Sequence, residues 1–382
     1  MFIIPVITNF KYKMNNPFSF GVIVDGLAFC NRKKEHDQLL SYCRSSQNVM
    51  IYSHRRIGKT SLIHHVFNTL ESEDTNIKKI YIDCYGILTE KQLISLVFKS
   101  LNQIETRVEK LIEFSKNIFC TVKLNFSFDV TTGNPTMSPS FQAEDSEVVL
   151  EEVFKLIEQY SKKKMVVVFD EFQEIENFKD ESFEKRLRKI IQQHKNICYV
   201  FMGSKRHILT QMFNAKSRAF YQSAELFPLY PIDTPHYIKW VKKLYSMGNK
   251  VLPSDIMIEN IVLRCNNYPI YVQQYFYYLW EKNQIDEKSI QDVEIDIISR
   301  SHDKFLNLWE ALTLNQRKTL HLIIRSKGEN IYYADMIHYA GLKSAAQVKK
   351  AVEVLYKNEI IVKNSRYHIQ DIMFEKWIRK MM

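Results

Sequence analysis

The sequence predicts an α/β domain with a parallel β-sheet, followed by a helical region and a C-terminal winged helix. A short apolar strand at 49–52 leads through a turn into an amphipathic helix, and the turn has the spacing of a phosphate-binding loop. A second apolar run, 165–169, ends in two acids. After Leu312 the order is helix, short helix, longer helix and hairpin, which is typical of a winged helix.

Length and composition are those of a globular protein with more than one domain. The chain has 382 residues, 46% of them hydrophobic and 25% charged, which is enough for two or three cores. The apolar run 1–7 is too short for a membrane span and no lysine-rich region precedes it, so we expect a cytoplasmic protein without a membrane partner. Six cysteines without a C-x-x-C pair indicate neither a zinc site nor a disulfide framework. A net charge of +10 allows nucleic-acid binding without establishing it.

The turn after the first strand fits the pattern G-x-x-x-x-G-K-[ST] at every position except the first, which is Ser53. Backbone N–H groups of such a loop and of the following helix N-terminus hold phosphate oxygens. We expect Lys59 to reach the outer phosphates and the Thr60 hydroxyl to bind Mg²⁺. Serine at position 53 weakens the match to this pattern, because the glycine usual there tolerates backbone angles that cost a residue with a Cβ. The predicted loop contacts are Ser53, His54, Arg55, Arg56, Ile57, Gly58, Lys59, Thr60 and Ser61.

The second apolar run predicts a buried parallel strand that ends in Asp170 and Glu171. Open α/β sheets bind ligands at the carboxyl ends of their strands, where these acids lie. Asp170 is predicted to hold Mg²⁺, directly or through water, and Glu171 to orient or deprotonate the attacking water. A chance Gly-Lys-Thr or Asp-Glu is common, and it is the combination of both motifs that predicts a nucleotide-hydrolysing site.

Three further strands, at 77–84, 197–204 and 224–229, bring the predicted sheet to five. Ser204 ends one of them and is a candidate to contact the γ-phosphate, the alternative being the N-cap of the next helix. Arg206 and Arg218 both lie downstream of this strand, and either could act as an arginine finger. We select Arg218 as the candidate. A solvent-exposed arginine is the alternative for each.

The segments around the core carry weaker signals. Phe29 and Arg32 are candidates to pack over the nucleotide base, with a plain N-terminal strand and helix as the alternative. Alternating apolar residues predict a β-hairpin inserted at about 118–142. Beyond Pro231 the chain turns helical, at 235–247, 255–264 and 271–282.

The third helix of the winged helix, 344–357, can enter a DNA major groove. Winged helices also pack against a neighbouring domain or bind protein, and the sequence leaves both possibilities open. The candidate nucleic-acid contacts are Lys343, Gln347, Lys349, Lys350, Lys357 and Arg366.

The chain resembles the archaeal-type ATPase family, in the STAND branch of the AAA+-related P-loop NTPases. The resemblance rests on the lead-in Asn16-Pro-Phe and the five motif segments 29–35, 55–62, 168–173, 202–204 and 371–377. It implies ATP as the nucleotide and a five-stranded parallel sheet with the Ser204 strand between the acidic strand and the loop strand. It also implies a helical lid and a C-terminal winged helix.

Family members have a Gly-x-Pro in the lid near the nucleotide, and the matching residues are Asn267, Tyr268 and Pro269. The resemblance makes Pro269 a candidate nucleotide contact. Asparagine can adopt the left-handed conformation that glycine usually supplies, so we expect the turn to survive.

We therefore predict an ATPase core at 1–230, a helical lid at 231–300 and a winged-helix domain at 301–382. The predicted function is a Mg²⁺-dependent ATPase that acts as a nucleotide-driven switch. The alternative is a regulatory module that binds DNA through the winged helix, with ATP as a structural ligand. A third possibility is a pure protein-interaction switch.

Overall fold

The computed structural model describes residues 14–73, 77–102, 123–128, 135–140, 146–160 and 164–382. These residues form two compact units. One unit is Arg32–Tyr230, and the other joins the described residues up to Asn31 with Pro231–Met382.

The unit Arg32–Tyr230 is an α/β fold built on a parallel five-stranded sheet. Its strands in chain order are β1 (Val49–Tyr52), β2 (Ile77–Asp83), β3 (Lys123–Phe128), β4 (Pro135–Ser140), β5 (Lys164–Asp170), β6 (Ile197–Gly203) and β7 (Glu225–Pro228). Its α-helices are α1 (Lys33–Ser45), α2 (Lys59–Glu73), α3 (Glu90–Asn102), α4 (Ser146–Tyr160), α5 (Phe183–Ile191) and α6 (Arg206–Asn214). A 3₁₀ helix, Phe172–Asn177, follows β5.

The sheet has the strand order β2-β5-β6-β1-β7, with every neighbouring pair parallel. This order confirms the predicted five-stranded parallel sheet, with the Ser204 strand between the acidic strand and the loop strand. Tyr52 lies opposite Gly203, and Asp83 lies opposite Asp170. The carboxyl ends of β1, β5 and β6 therefore meet at one edge of the sheet.

The central strands are buried along almost their whole length. Every residue of β6 is buried, as are the six residues Met165–Asp170 of β5. Continuous apolar runs of this kind are typical of parallel strands that are covered on both faces. Phe172 packs on Phe201 and Phe169, with ring centroids 4.6 and 5.7 Å apart, so the chain after β5 is fixed against the core.

Two antiparallel strands lie in the region predicted to hold an inserted hairpin. β3 pairs with β4 from Lys123 opposite Ser140 to Phe128 opposite Pro135. The remaining residues of the predicted segment, 118–122, 129–134 and 141–142, lie outside the described residues.

The described residues of the second unit form helices and one two-stranded sheet. Its first helices, numbered onward, are α7 (Thr234–Met247), α8 (Asp255–Arg264), α9 (Pro269–Lys282), α10 (Glu287–Arg300) and α11 (His302–Glu310). The segment before Asn31 packs on these helices. Phe18 is 1% exposed and its ring lies 5.2 Å from Trp240 and 5.5 Å from Phe276. The Trp240 indole N–H donates to Leu27 O at 2.9 Å.

The chain ends in a winged helix, as predicted. Its elements are α12 (Leu314–Arg325), α13 (Ala334–Tyr339), α14 (Ala345–Lys357), β8 (Ile361–Lys363), β9 (Tyr367–Ile369) and α15 (Ile372–Met381). β8 and β9 form an antiparallel hairpin. The inner face of α14 is made of four buried residues, Val348, Ala351, Val352 and Leu355. No helix among the described residues is both long enough and apolar enough to span a membrane.

Candidate functional site

The loop between β1 and α2 has left-handed backbone at two positions, Arg56 (φ 68°) and Gly58 (φ 95°). Only glycine adopts such angles at little cost, which explains Gly58. Ser53, by contrast, lies outside the left-handed region. The expectation that its Cβ carries a backbone penalty is therefore wrong. The Ser53 hydroxyl is buried and donates to His54 O at 3.0 Å.

The loop and the acidic strand meet through a side-chain hydrogen bond. Lys59 is the first residue of α2 and is only 7% exposed. The following residue is Thr60, and its hydroxyl donates to Asp170 Oδ2 at 3.3 Å. A hydroxyl and a carboxylate thus lie together at the N-terminus of a helix, whose dipole favours anions.

Asp170 is buried, and its side-chain hydrogen-bond partners within the described part of the chain come from this edge of the sheet. Its Oδ1 accepts from the Glu171 N–H at 2.8 Å. Its Oδ2 accepts from Thr60 and also from the Tyr81 hydroxyl of β2. Burial raises the pKa of Asp170 above its ordinary value, and the Tyr81 hydrogen bond opposes that rise.

Glu171 has a left-handed backbone (φ 49°) that turns the chain sharply after β5. Its Oε2 accepts from Gln173 Nε2 at 2.5 Å, from the Ser204 N–H at 3.1 Å and from Ser204 Oγ at 3.0 Å. Burial alone would raise the pKa of Glu171, but the hydrogen bonds from Gln173 and Ser204 and the charge of Lys59 together lower it below its ordinary value. Glu171 is therefore an oriented carboxylate at neutral pH.

Ser204 bonds to site residues and does not cap the next helix. Its hydroxyl donates to Glu171 and accepts from Arg55 Nε at 3.3 Å. The N-cap position of α6 belongs to Lys205, which makes no side-chain cap. The structure thus brings the loop, Ser204 and Glu171 into one hydrogen-bonded group.

Gln173 is a site residue that sequence reasoning missed. Its side chain is 2% exposed and lies so close to Gly203 that an added Cβ there would come within 1.9 Å of Gln173 Oε1. The signal that could have found it is its place in the motif 168–173, directly after Phe172. Gly203 leaves the space in which Gln173 reaches Glu171.

Residues 29–252 match a family model described as an ATPase domain predominantly from Archaea. The chain belongs to this archaeal ATPase family. Residues 303–380 match a second family model, described as a "probable winged helix domain". Among curated proteins, none matches this chain.

Solved structures show the same fold as this chain. A Walker-type ATPase of Pyrococcus abyssi is 15% identical over 92% of this chain and 96% of its own, with a TM-score of 0.65. The ORC2 protein of Aeropyrum pernix, solved as ADPNP–ADP complexes, is 12% identical over 97% of this chain and 98% of its own, with a TM-score of 0.59. At these identities the likeness concerns the fold.

Arg32 supports the loop between β1 and α2 from within the same unit. The side chain is 3% exposed, and its two terminal nitrogens donate to Ile57 O at 3.1 Å and to Glu35 Oε1 at 2.8 Å. Its guanidinium thus fixes the loop backbone next to Gly58. Phe29 belongs to the other unit, where its N–H donates to Gly26 O at 3.2 Å.

The two arginines considered as fingers are engaged within the same unit. Arg218 forms ion pairs with Glu176, at 2.9 Å, and with Glu184. The guanidinium of Arg206 lies 5.3 Å from the centre of the Tyr52 ring. The structure therefore places Arg218 on two glutamates, and Arg206 beside the strand that leads into the loop.

The turn at Asn267 has the conformation expected of it. Asn267 is left-handed (φ 59°), which confirms that asparagine supplies the angle that glycine usually provides. Its side-chain amide donates to Ile232 O at 2.8 Å and to Thr234 Oγ1 at 3.1 Å. Pro269 is the first residue of α9, a position where its missing N–H costs nothing.

The candidate nucleic-acid contacts on the winged helix differ in their surroundings. Lys343, Lys349, Lys350 and Lys357 are exposed. Gln347 Oε1 accepts from the Lys343 N–H at 3.0 Å, so this amide is used at the start of α14. Arg366 pairs with Glu329 at 3.5 Å on the surface. The lysines are therefore the residues of this group best placed to meet a phosphate backbone.

Proposed function

We propose that this protein is a cytoplasmic, Mg²⁺-dependent ATPase of the STAND type that works as a nucleotide-driven switch. One observation carries the proposal: Thr60 of the phosphate loop bonds to Asp170 of the acidic strand, with Glu171 as the next residue. Family membership supports ATP as the nucleotide. The ORC2 protein, which shares the fold, was solved as ADPNP–ADP complexes.

Thr60 and Asp170 form a donor set that fits Mg²⁺, which prefers oxygen ligands and is usually bound through one or two carboxylates plus substrate phosphates. Their oxygens lie 3.3 Å apart at the N-terminus of α2. When bound, Mg²⁺ would neutralise charge on the phosphate oxygens. The amides of residues 53–61 and the nearly buried Lys59 would hold the phosphates.

Glu171 would act on the water that attacks the γ-phosphorus. As the new P–O bond forms, the bond to the β–γ bridging oxygen breaks, giving ADP and inorganic phosphate. Three donors already bond to Glu171 Oε2, which leaves Oε1 as the oxygen to accept the water proton. Its lowered pKa keeps the carboxylate ionised and makes it a weak base, so orientation of the water is the larger part of its role.

We further propose that Ser204 contacts the γ-phosphate and that Pro269, Phe29 and Arg32 contribute to nucleotide binding, as the resemblance implies. The switch would couple nucleotide state to a helical lid at 231–300 and a winged-helix domain at 301–382. Arg218 remains the proposed finger, and to serve as one it would have to leave Glu176 and Glu184.

Replacement of Lys59 by alanine tests nucleotide binding. We expect wild type to bind ATP only with Mg²⁺, and Lys59→Ala to lose at least about tenfold in affinity, because a charge-assisted contact to phosphate is removed. Isothermal titration with and without Mg²⁺ measures this. Lys79→Ala is the matched control, since Lys79 pairs with Glu71 at 2.6 Å. Absence of Mg²⁺-dependent binding of any nucleoside triphosphate by wild type would sink the proposal.

The exposed lysines of the winged helix favour a second candidate function, a regulatory module that binds DNA. In the double variant Lys349→Glu and Lys350→Glu we expect DNA affinity to fall by about tenfold or more, and the slope of log affinity against log salt to fall by about two. Fluorescence anisotropy at several salt concentrations measures both.

The control for this second function is the double variant Lys239→Glu and Lys288→Glu. These two lysines are exposed and lie on α7 and α10. It makes the same change in net charge at a different place. If both double variants lose affinity equally, the winged helix has no special role. If wild type binds no DNA even at low salt, the protein-interaction switch becomes the better alternative.

A further inference from the structure

Tyr81 lies on β2, outside both nucleotide motifs, yet its side chain ends at the site. The register of β2 and β5 sets Tyr81 opposite Val168 and Asp83 opposite Asp170. The half-buried Tyr81 ring lies against the His64 imidazole, with ring centroids 5.5 Å apart. From there its hydroxyl donates to Asp170 Oδ2.

The hydrogen bonds of Asp170 show which of its oxygens a cation would need. Oδ1 accepts from the Glu171 N–H at 2.8 Å. Oδ2 faces Thr60 Oγ1 at 3.3 Å and also accepts from Tyr81. A carboxylate oxygen offers about two acceptor positions, so the two hydroxyls use those of Oδ2. Because Oδ2 is the oxygen that faces Thr60, a cation held by both Thr60 and Asp170, or its hydration water, takes one of these positions.

We propose that Tyr81 is a positioning residue that sets the divalent-cation affinity of this site, because its hydroxyl satisfies Asp170 in the cation-free protein and must give up Oδ2 when a cation binds. The inference rests on the proposed function. Asp170 is buried, and a buried charge without partners is unstable. Tyr81 therefore stabilises the cation-free protein and weakens cation binding by the same interaction.

Tyr81→Phe removes only the hydroxyl and tests the inference directly. We expect the variant to bind Mn²⁺ about tenfold more tightly than wild type in the presence of ADP, since a hydrogen bond to a charged group no longer has to be broken. Electron paramagnetic resonance of free Mn²⁺ measures this without turnover. We also expect a lower melting temperature for the cation-free variant.

Tyr199→Phe is the matched control. Tyr199 is a buried tyrosine of β6, which β5 separates from β2 in the same sheet, and its hydroxyl bonds to His194 Nδ1 at 2.6 Å. Its loss should lower the melting temperature and leave Mn²⁺ affinity unchanged. Tyr81→Leu also lacks the hydroxyl and should shift Mn²⁺ affinity in the same direction as Tyr81→Phe.

The outcomes separate the two proposals. Wild type that binds Mn²⁺ with ADP, together with Tyr81 variants of unchanged or weaker affinity, overturns the role of Tyr81 and leaves the proposed function standing. Wild type that binds no Mn²⁺ in the presence of ADP overturns both.

Discussion

Glu171→Gln is expected to bind ATP with nearly wild-type affinity and to hydrolyse it at least about a hundredfold more slowly, the range expected when a general base is removed. The amide is close in size to the carboxylate, and its oxygen can still accept hydrogen bonds from Ser204, which lies 3.0 Å from Oε2. The local structure should therefore persist, while the negative charge and the proton acceptor are lost. Single-turnover hydrolysis and titration with ATP measure the two properties separately.

Glu174→Gln is the matched control for this variant. Glu174 lies on the 3₁₀ helix that directly follows Glu171, and it pairs with Lys205 at 2.8 Å. The same chemical change at this position should leave turnover within about threefold of wild type, since a partly exposed ion pair contributes little. Equal turnover in Glu171→Gln and wild type would remove Glu171 from the mechanism.

The site could be predicted from sequence where its signals are local. The phosphate loop and the two acids each follow an apolar run that predicts a buried parallel strand. Because the carboxyl ends of parallel strands lie at the same edge of a sheet, both motifs are expected at that edge. The resemblance added the strand order. Boundaries shifted only slightly: the helix expected at 271–282 begins at Pro269, because proline is suited to the first helical position.

Contacts that depend on register between distant elements were not predictable. The bond from Tyr81 to Asp170 arises from the pairing of β2 with β5, and no local pattern encodes that pairing. Gln173 reaches Glu171 only because Gly203 leaves room for it. Nothing in the sequence around Arg218 indicates that it pairs with Glu176 and Glu184.

The Ser53 expectation failed for a different reason. Glycine is usual at the first loop position, and we attributed this to its backbone freedom. In this loop the left-handed angles fall at Arg56 and Gly58, so the serine carries no such penalty. A consensus pattern records which residue is usual at a position, and the backbone angle decides whether a departure costs stability.

Gly328→Ala is expected to destabilise the winged helix by about 3–5 kcal/mol, summed from a left-handed alanine, an overpacked contact and a lost hydrogen bond. Gly328 has φ 79°, and an added Cβ would lie 1.7 Å from Tyr367 O, a backbone atom that cannot rotate away. Gly328 O also accepts from the Tyr367 N–H at 3.2 Å, and this hydrogen bond holds β9 against the turn that follows α12. The substitution would push β9 away from that turn. Urea unfolding followed by far-UV circular dichroism measures the loss.

Gly341→Ala separates the steric effect at Gly328 from the cost of a left-handed alanine. Gly341 has φ 66°, and an added Cβ would meet first the flexible end of Lys318, with Nζ at 3.2 Å. It should therefore lose only about 1–2 kcal/mol, the cost of the backbone angle. Equal losses in the two variants would show that contact with Tyr367 does not matter. A larger loss for Gly328→Ala assigns the difference to the anchoring of β9, on which the shape of the winged helix depends.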